Sequence, residues 1–168
     1  MFAIIKNMVH KVIQKQLNYR DCIVCGVKNK LGLHASFYEM DDGKLVCLTT
    51  GRQEHQSYPE RMHGGVIAAL LDETIGRAIL IHETIWGVTM NLTTKYRKPV
   101  PLDAPIKIVA EITENNARTF KGVAQLFDST GLLLAESDAL YFKVDYSQLE
   151  HLKDHEHMIP DNVTEIEY

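Results

Sequence analysis

An α+β fold, one long helix against a mostly antiparallel sheet of about six strands, is predicted by three features of the sequence. Apolar positions across residues 64–81 recur at helical spacing, while runs on either side of them alternate with a period of two. The strand-like runs cluster after the helix instead of alternating with helices, which argues against a doubly wound parallel sheet. Turn signals separate the runs: Asp42-Gly43 between the first two, and Ser129-Thr130-Gly131 between the last two.

Each element follows from its own pattern. Residues 3–17 place Ile5, Met8, Val9, Val12 and Leu17 at helical spacing with lysines between, which predicts an amphipathic helix within residues 1–20. The central domain then spans 21–146. "LHASFYE" (33–39) and "KLVCLTT" (44–50) predict a hairpin. "GRQEHQSYPERM" (51–62) is a polar loop, and the helix starts at Gly64 or Gly65 and runs to about Ile81. Strands are predicted over 88–97, 106–112, 118–128 and 132–144. Residues 147–168 form an acidic end, with a short helix over 147–157 and a loose tail.

The bulk numbers exclude several classes. The chain has 168 residues, 45% hydrophobic and 24% charged, enough for one domain with a real core. Its net charge of −4 argues against a nucleic-acid partner. No apolar run approaches the roughly 20 residues that span a bilayer, and the start lacks a secretory cleavage pattern, so neither membrane nor export is expected. Three cysteines do not make a disulfide scaffold. The expectation is a soluble, cytoplasmic protein.

The helix "GGVIAALLDETIGRA" carries adjacent acids, Asp72 and Glu73. Glu73 has Arg77 at i+4, the favourable order for a solvated ion pair. Asp72 has Ala68, Ala69, Ile75 and Gly76 as helical neighbours and no cation among them. An acid on such a face is costly unless it is wet, paired from elsewhere, or used. Gly64 and Gly65 bring bare N–H groups to the helix start, where the dipole favours negative charge and a polarised carbonyl can be held. Ile67, Leu70, Leu71, Thr74 and Ala78 form a bulkier stripe suited to a core.

"MHGGVIAALLDETIGRA" resembles the hotdog-fold acyl-CoA thioesterases of the phenylacetyl-CoA and hydroxybenzoyl-CoA type. In that family an HGG motif opens the central helix, and a catalytic acid follows nine residues after the His, as Asp72 follows His63. The layout matches from about residue 20 to 144. The resemblance implies a hotdog fold and hydrolysis of an acyl-CoA, with no cofactor. Asp72 would be the general base or the nucleophile. The Gly65 N–H would polarise the thioester carbonyl, and His63 and Gly64 would shape that turn. Family sites form between two subunits, so a homodimer or homotetramer is expected.

One position departs from the pattern. Many relatives carry an Asn six residues before the His; here it is Ser57, flanked by Gln56, and these two would bind substrate in its place. Asn91 and Thr93, on one face of the strand after the helix, are further substrate contacts to consider, and Arg97 and Lys98 would meet the phosphates of CoA. The alternative is a non-catalytic acyl-CoA binding or sensing protein on the same fold. A serine hydrolase is disfavoured, since no G-x-S-x-G occurs.

"DCIVCG" holds one C-x-x-C, and a closed zinc site would need two further ligands. No metal is expected. Similar openings precede the first strand in some hotdog relatives, which implies a role in the fold or the substrate pocket.

Overall fold

The computed structural model describes residues 8–145 and 156–168. Its strands are β1 (Val9–Lys15), β2 (Asn18–Tyr19), β3 (Ser36–Met40), β4 (Leu45–Thr50), β5 (Ile85–Tyr96), β6 (Pro105–Asn115), β7 (Thr119–Asp128), β8 (Leu133–Asp145), β9 (Glu156–His157) and β10 (Glu165–Glu167). One long helix, α1 (Gly64–Ala78), ends in a 3-10 turn, Ile79–Ile81. Eight strands form one sheet in the order β10-β1-β3-β4-β6-β7-β8-β5, antiparallel throughout. β2 and β9 make a separate antiparallel pair.

The six predicted strands are β3 to β8, contiguous in the sheet with β5 at its end, and α1 begins at Gly64 as its glycines imply. The helix buries Ile67, Leu70, Leu71, Thr74, Ile75 and Ala78 against β4 to β8. Facing them are Phe37, Leu45, Ile106, Ile108, Phe120, Leu126 and Tyr141, all nearly inaccessible. Each fully buried Leu or Ile contributes roughly 1.5–3 kcal/mol relative to exposure, so this interface holds the helix to the sheet.

The sheet has eight strands where about six were expected, and both additions come from the chain ends. Residues 9–15 form β1, not part of a helix. The segment VHKVIQK carries β-branched Val9, Val12 and Ile13, which favour a pleated surface. A bulge between Val12 and Gln14 breaks its alternation and leaves a spacing that mimics a helix. Residues 1–7, the start of that expected helix, and 146–155, most of the second expected helix, lie outside the described residues.

The expected loose tail is docked instead. β10 pairs with β1, and Ile166 and Tyr168 pack with Tyr38, Met40 and Val46 on the outer face of the sheet. No helix among the described residues is long and apolar enough to cross a membrane.

Candidate active site

Asp72 sits on the half-open face of α1, and its partners come from the sheet. The Thr89 hydroxyl of β5 lies 2.9 Å from Oδ1 and 3.2 Å from Oδ2. The Tyr141 hydroxyl of β8 lies 2.9 Å from Oδ1 and 2.8 Å from the Asp72 carbonyl oxygen. Both donors converge on Oδ1, leaving Oδ2 the freer oxygen. Burial pushes the Tyr141 phenol well above its ordinary value, and the Asp72 charge pushes it further. It therefore stays protonated and acts as a donor. Gly76 makes room for it: a Cβ there would lie 3.3 Å from the Tyr141 ring.

Neither Thr89 nor Tyr141 was visible as a site residue in the sequence. β5 carries a bulge between Thr89 and Asn91. Ahead of it the odd positions face the helix, as Thr89 does; beyond it the even ones do, with Leu92 on the core and the Tyr96 hydroxyl 2.9 Å from the Gly64 carbonyl. Strict alternation assigned Val88 and Met90 to the face of Leu92, hiding Thr89. For the same reason Asn91 and Thr93 are on the opposite face of β5 from the helix, exposed, with a long 3.4 Å contact between their side chains. The fold does not bring them to Asp72.

Glu73 and Arg77 pair as the spacing predicts, with Nε 2.7 Å from Oε1. The pair is not a solvated one, however. Arg77 is 3% exposed, donates to the Leu17 carbonyl at 2.9 Å and to Cys25 Sγ at 3.1 Å, and lies over the Phe37 ring at 4.4 Å. A buried guanidinium needs this many partners. Glu73 is thus engaged in packing, and Asp72 is the acid at the open face.

His63 is the N-cap of α1, and its Nδ1 accepts the Gly65 N–H at 2.9 Å. Another histidine sets the approach: buried His55 accepts the Arg52 N–H on Nδ1 at 3.0 Å, points Nε2 at the Leu31 carbonyl at 2.8 Å, and accepts the His63 N–H on its own carbonyl at 2.8 Å. The HGG turn is therefore fixed by hydrogen bonds before any ligand arrives. Gln56 is part of that scaffold, since its Oε1 accepts the Glu60 N–H at 3.1 Å.

A cleft of about 330 Å³ opens beside the helix start, lined by Ser57, Arg61, Gly64, Tyr96, Arg97 and Lys98 among others. It brings together four expected positions, Ser57, Gly64, Arg97 and Lys98, and adds Arg61 and Tyr96. Arg97 also pairs with the Glu136 carboxylate. Two clusters of metal-ligating types occur among the described residues, Cys22/Cys25/Glu73 and His10/Asp41/Asp42, and neither contains Asp72.

One long helix cradled by an antiparallel sheet, with an acid held at its half-open face, makes this a hotdog-fold protein. The chain aligns with a solved thioesterase superfamily protein at a TM-score of 0.68 and 26% identity, covering 73% of this chain and 60% of that one. Residues 60–135, which include the HGG turn and Asp72, match the thioesterase superfamily. Over that span the chain is similar to that superfamily. It is 30% identical over 114 residues to acyl-coenzyme A thioesterase THEM4 of Rattus norvegicus, covering 67% of this chain and 48% of the relative. It is 29% identical over 96 residues to acyl-coenzyme A thioesterase 13 of Homo sapiens, covering 56% and 69%. The chain spans about half the length of the curated relatives it matches first, those named THEM4.

Proposed function

We propose that this chain hydrolyses acyl-CoA thioesters to a free acid and CoA. The observation that carries the reading is the Asp72 carboxylate, tied at Oδ1 by Thr89 and Tyr141 and freer at Oδ2, where Thr89 is the longer 3.2 Å away. Oδ2 either takes the proton of a water that attacks the thioester carbonyl carbon, or attacks that carbon itself to give an anhydride that water then opens. In both routes the C–S bond breaks and CoA leaves as its thiol. The Gly65 N–H polarises the carbonyl oxygen by exchanging its His63 acceptor for the substrate. Arg61, Arg97 and Lys98 at the cleft suit the phosphates of CoA.

The working site belongs to two copies of the chain. Gly65 and Asp72 are two helical turns apart on one face, about 10 Å along the axis. One carbonyl cannot touch both within a single chain. A twofold pair with antiparallel helices sets Asp72 of one copy beside Gly65 of the other. β5 supports this arrangement: among the described residues it is one end of the sheet, 12 residues long, with Val88 and Met90 more than half exposed. A homodimer, or a homotetramer built from it, follows. Three free thiols suit the cytoplasmic setting expected from the sequence.

One observation favours the second reading, a binder without turnover: the Gly65 N–H already has a protein acceptor in His63. Release of free CoA from acyl-CoAs of graded chain length separates the two. Turnover by the wild type with a loss of roughly 100-fold or more in Asp72→Asn supports hydrolysis. Saturable binding with no thiol release establishes the binder instead.

A further inference from the structure

The C-x-x-C segment lies outside the proposed hydrolytic chemistry, yet it is the centre of a built polar cluster. The ligand atoms of Cys22, Cys25 and Glu73 all lie within 4.8 Å of one another. Cys22 is half-buried and reachable from solvent, while Cys25 is fully buried. Backbone N–H groups are aimed at both sulfurs: Val24 and Cys25 at Cys22 Sγ, 3.3 and 3.5 Å away, and Tyr19 at Cys25 Sγ, 3.2 Å away. The Arg77 guanidinium adds a charged donor to Cys25 Sγ at 3.1 Å.

The turn that holds the sulfurs is rigid. A Cβ on Gly26 would lie 2.3 Å from the Cys22 carbonyl oxygen, so only glycine lets the loop close this tightly. Asn18, fully buried, donates to the Cys25 carbonyl at 2.8 Å and the Ala35 carbonyl at 2.9 Å. The cluster also has its cation. Arg77 already neutralises Glu73 and faces Cys25, so a metal ion would have to displace a guanidinium buried among Phe37, Tyr19 and Leu17.

We propose that Cys22 and Cys25 are a redox modification site, a dithiol oxidised to an intramolecular disulfide by exchange with a low-molecular-weight disulfide. Cys22, the accessible sulfur, attacks one sulfur of that co-reactant; a mixed disulfide forms and one small thiolate leaves. Cys25 then attacks Cys22 Sγ, the second small thiolate leaves, and the Cys22–Cys25 bond closes. Two protein thiols are oxidised, one small disulfide is reduced to two thiols, and the two protons go to the departing sulfurs.

The electrostatics match that order. The hydrogen bond from Cys25 holds Cys22 below the ordinary thiol range, with backbone amides helping against burial and Glu73. The same bond and burial hold Cys25 above it, while Arg77 pulls the other way. Once Cys22 is capped, the bond that raised Cys25 is gone and Arg77 remains to favour its thiolate. Cys47, the third thiol, is fully buried and pushed up to about 12 by desolvation, so it takes no part.

Glutathione disulfide is the probe, and intact mass with peptide mapping is the readout. Wild-type protein is expected to lose two hydrogen masses and yield a Cys22–Cys25 linked peptide without a stable adduct. Cys25→Ser is expected to accumulate one glutathione on Cys22, and Cys22→Ser to react at Cys25 at least about 10-fold more slowly. The wild-type measurement stands even if a variant fails to fold. A stable glutathione adduct on wild-type Cys22, modification of Cys47 first, or no reaction would overturn the proposal. So would one zinc ion retained per chain through gel filtration, which would make the cluster a metal site.

Discussion

The Tyr141 hydroxyl lies 2.9 Å from Asp72 Oδ1 and 2.8 Å from the Asp72 carbonyl oxygen, joining the last core strand to the middle of the helix. The tyrosine is 1% exposed and its ring stacks on Phe120 at 4.7 Å. A donor so placed fixes which carboxylate oxygen faces the open side. Tyr141→Phe removes only that donor. It is expected to lower kcat about 10- to 100-fold with KM little changed. The folded state should lose about 1 kcal/mol, read as a shift in the urea midpoint. Unchanged kcat would mean that Tyr141 serves packing alone.

Thr89 holds the same carboxylate from β5, and its role is separable from its shape. Thr89→Ser keeps the hydroxyl and is expected to retain turnover within about threefold. Thr89→Val keeps the shape and removes the donor, with an expected loss of about 10-fold or more. Steady-state thiol release from both variants checks this, and equal activity in the two would remove Thr89 from the site.

Glu73 and Arg77 predict the opposite division between stability and rate. Arg77→Met leaves Glu73 without its partner and strips a donor from Leu17 and Cys25. The expected cost is about 3 kcal/mol, measured by denaturant unfolding. Glu73→Gln is expected to leave kcat within about threefold at 25 °C. A collapse of turnover in Glu73→Gln with activity kept in Asp72→Asn would reverse the assignment of the two acids.

Acid should release the C-terminal strand before the core. Asp161 Oδ2 accepts from the Tyr38 hydroxyl at 2.6 Å and from Lys15, and Asp42 Oδ1 accepts from the Tyr168 hydroxyl at 2.6 Å. Burial pushes both carboxyls up. Lys15 with Tyr38, and Tyr168 with Lys44, outweigh it, so both end below the ordinary 3.8. A depressed folded value gives stability that is full above the unfolded value and is lost as pH falls through the folded one. Backbone amides of Val9–Lys11, paired with β10, are expected to lose exchange protection below about pH 4, ahead of those in α1. Simultaneous loss in both would contradict the clamp.

The sequence was most legible where one periodicity ran without interruption. Ile67, Leu70, Leu71 and Thr74 marked the buried face of α1, and Asp42-Gly43 marked the first hairpin. It misled at bulges. The irregularity after Val12 disguised β1 as a helix, and the one after Thr89 reversed which side chains of β5 face Asp72. Burial was the other gap. Arg77 reads as a surface partner of Glu73 from spacing alone, and only the sheet packed over it reveals a buried guanidinium bound to Cys25. Tyr141 lies 69 residues from the acid it holds, a separation that no local pattern spans.

The most direct test is subunit mixing. Asp72→Asn removes the acid from one chain. Gly65→Pro removes the helix-start N–H from another, at a first-turn position where proline is tolerated. Each variant alone is expected to be nearly inactive in acyl-CoA hydrolysis. Co-refolded in equal amounts, half of the dimers are mixed, and each mixed dimer holds one intact site. About a quarter of wild-type activity should therefore return if Asp72 and Gly65 meet on one thioester from two copies. A mixture as inactive as its parts would contradict the shared site.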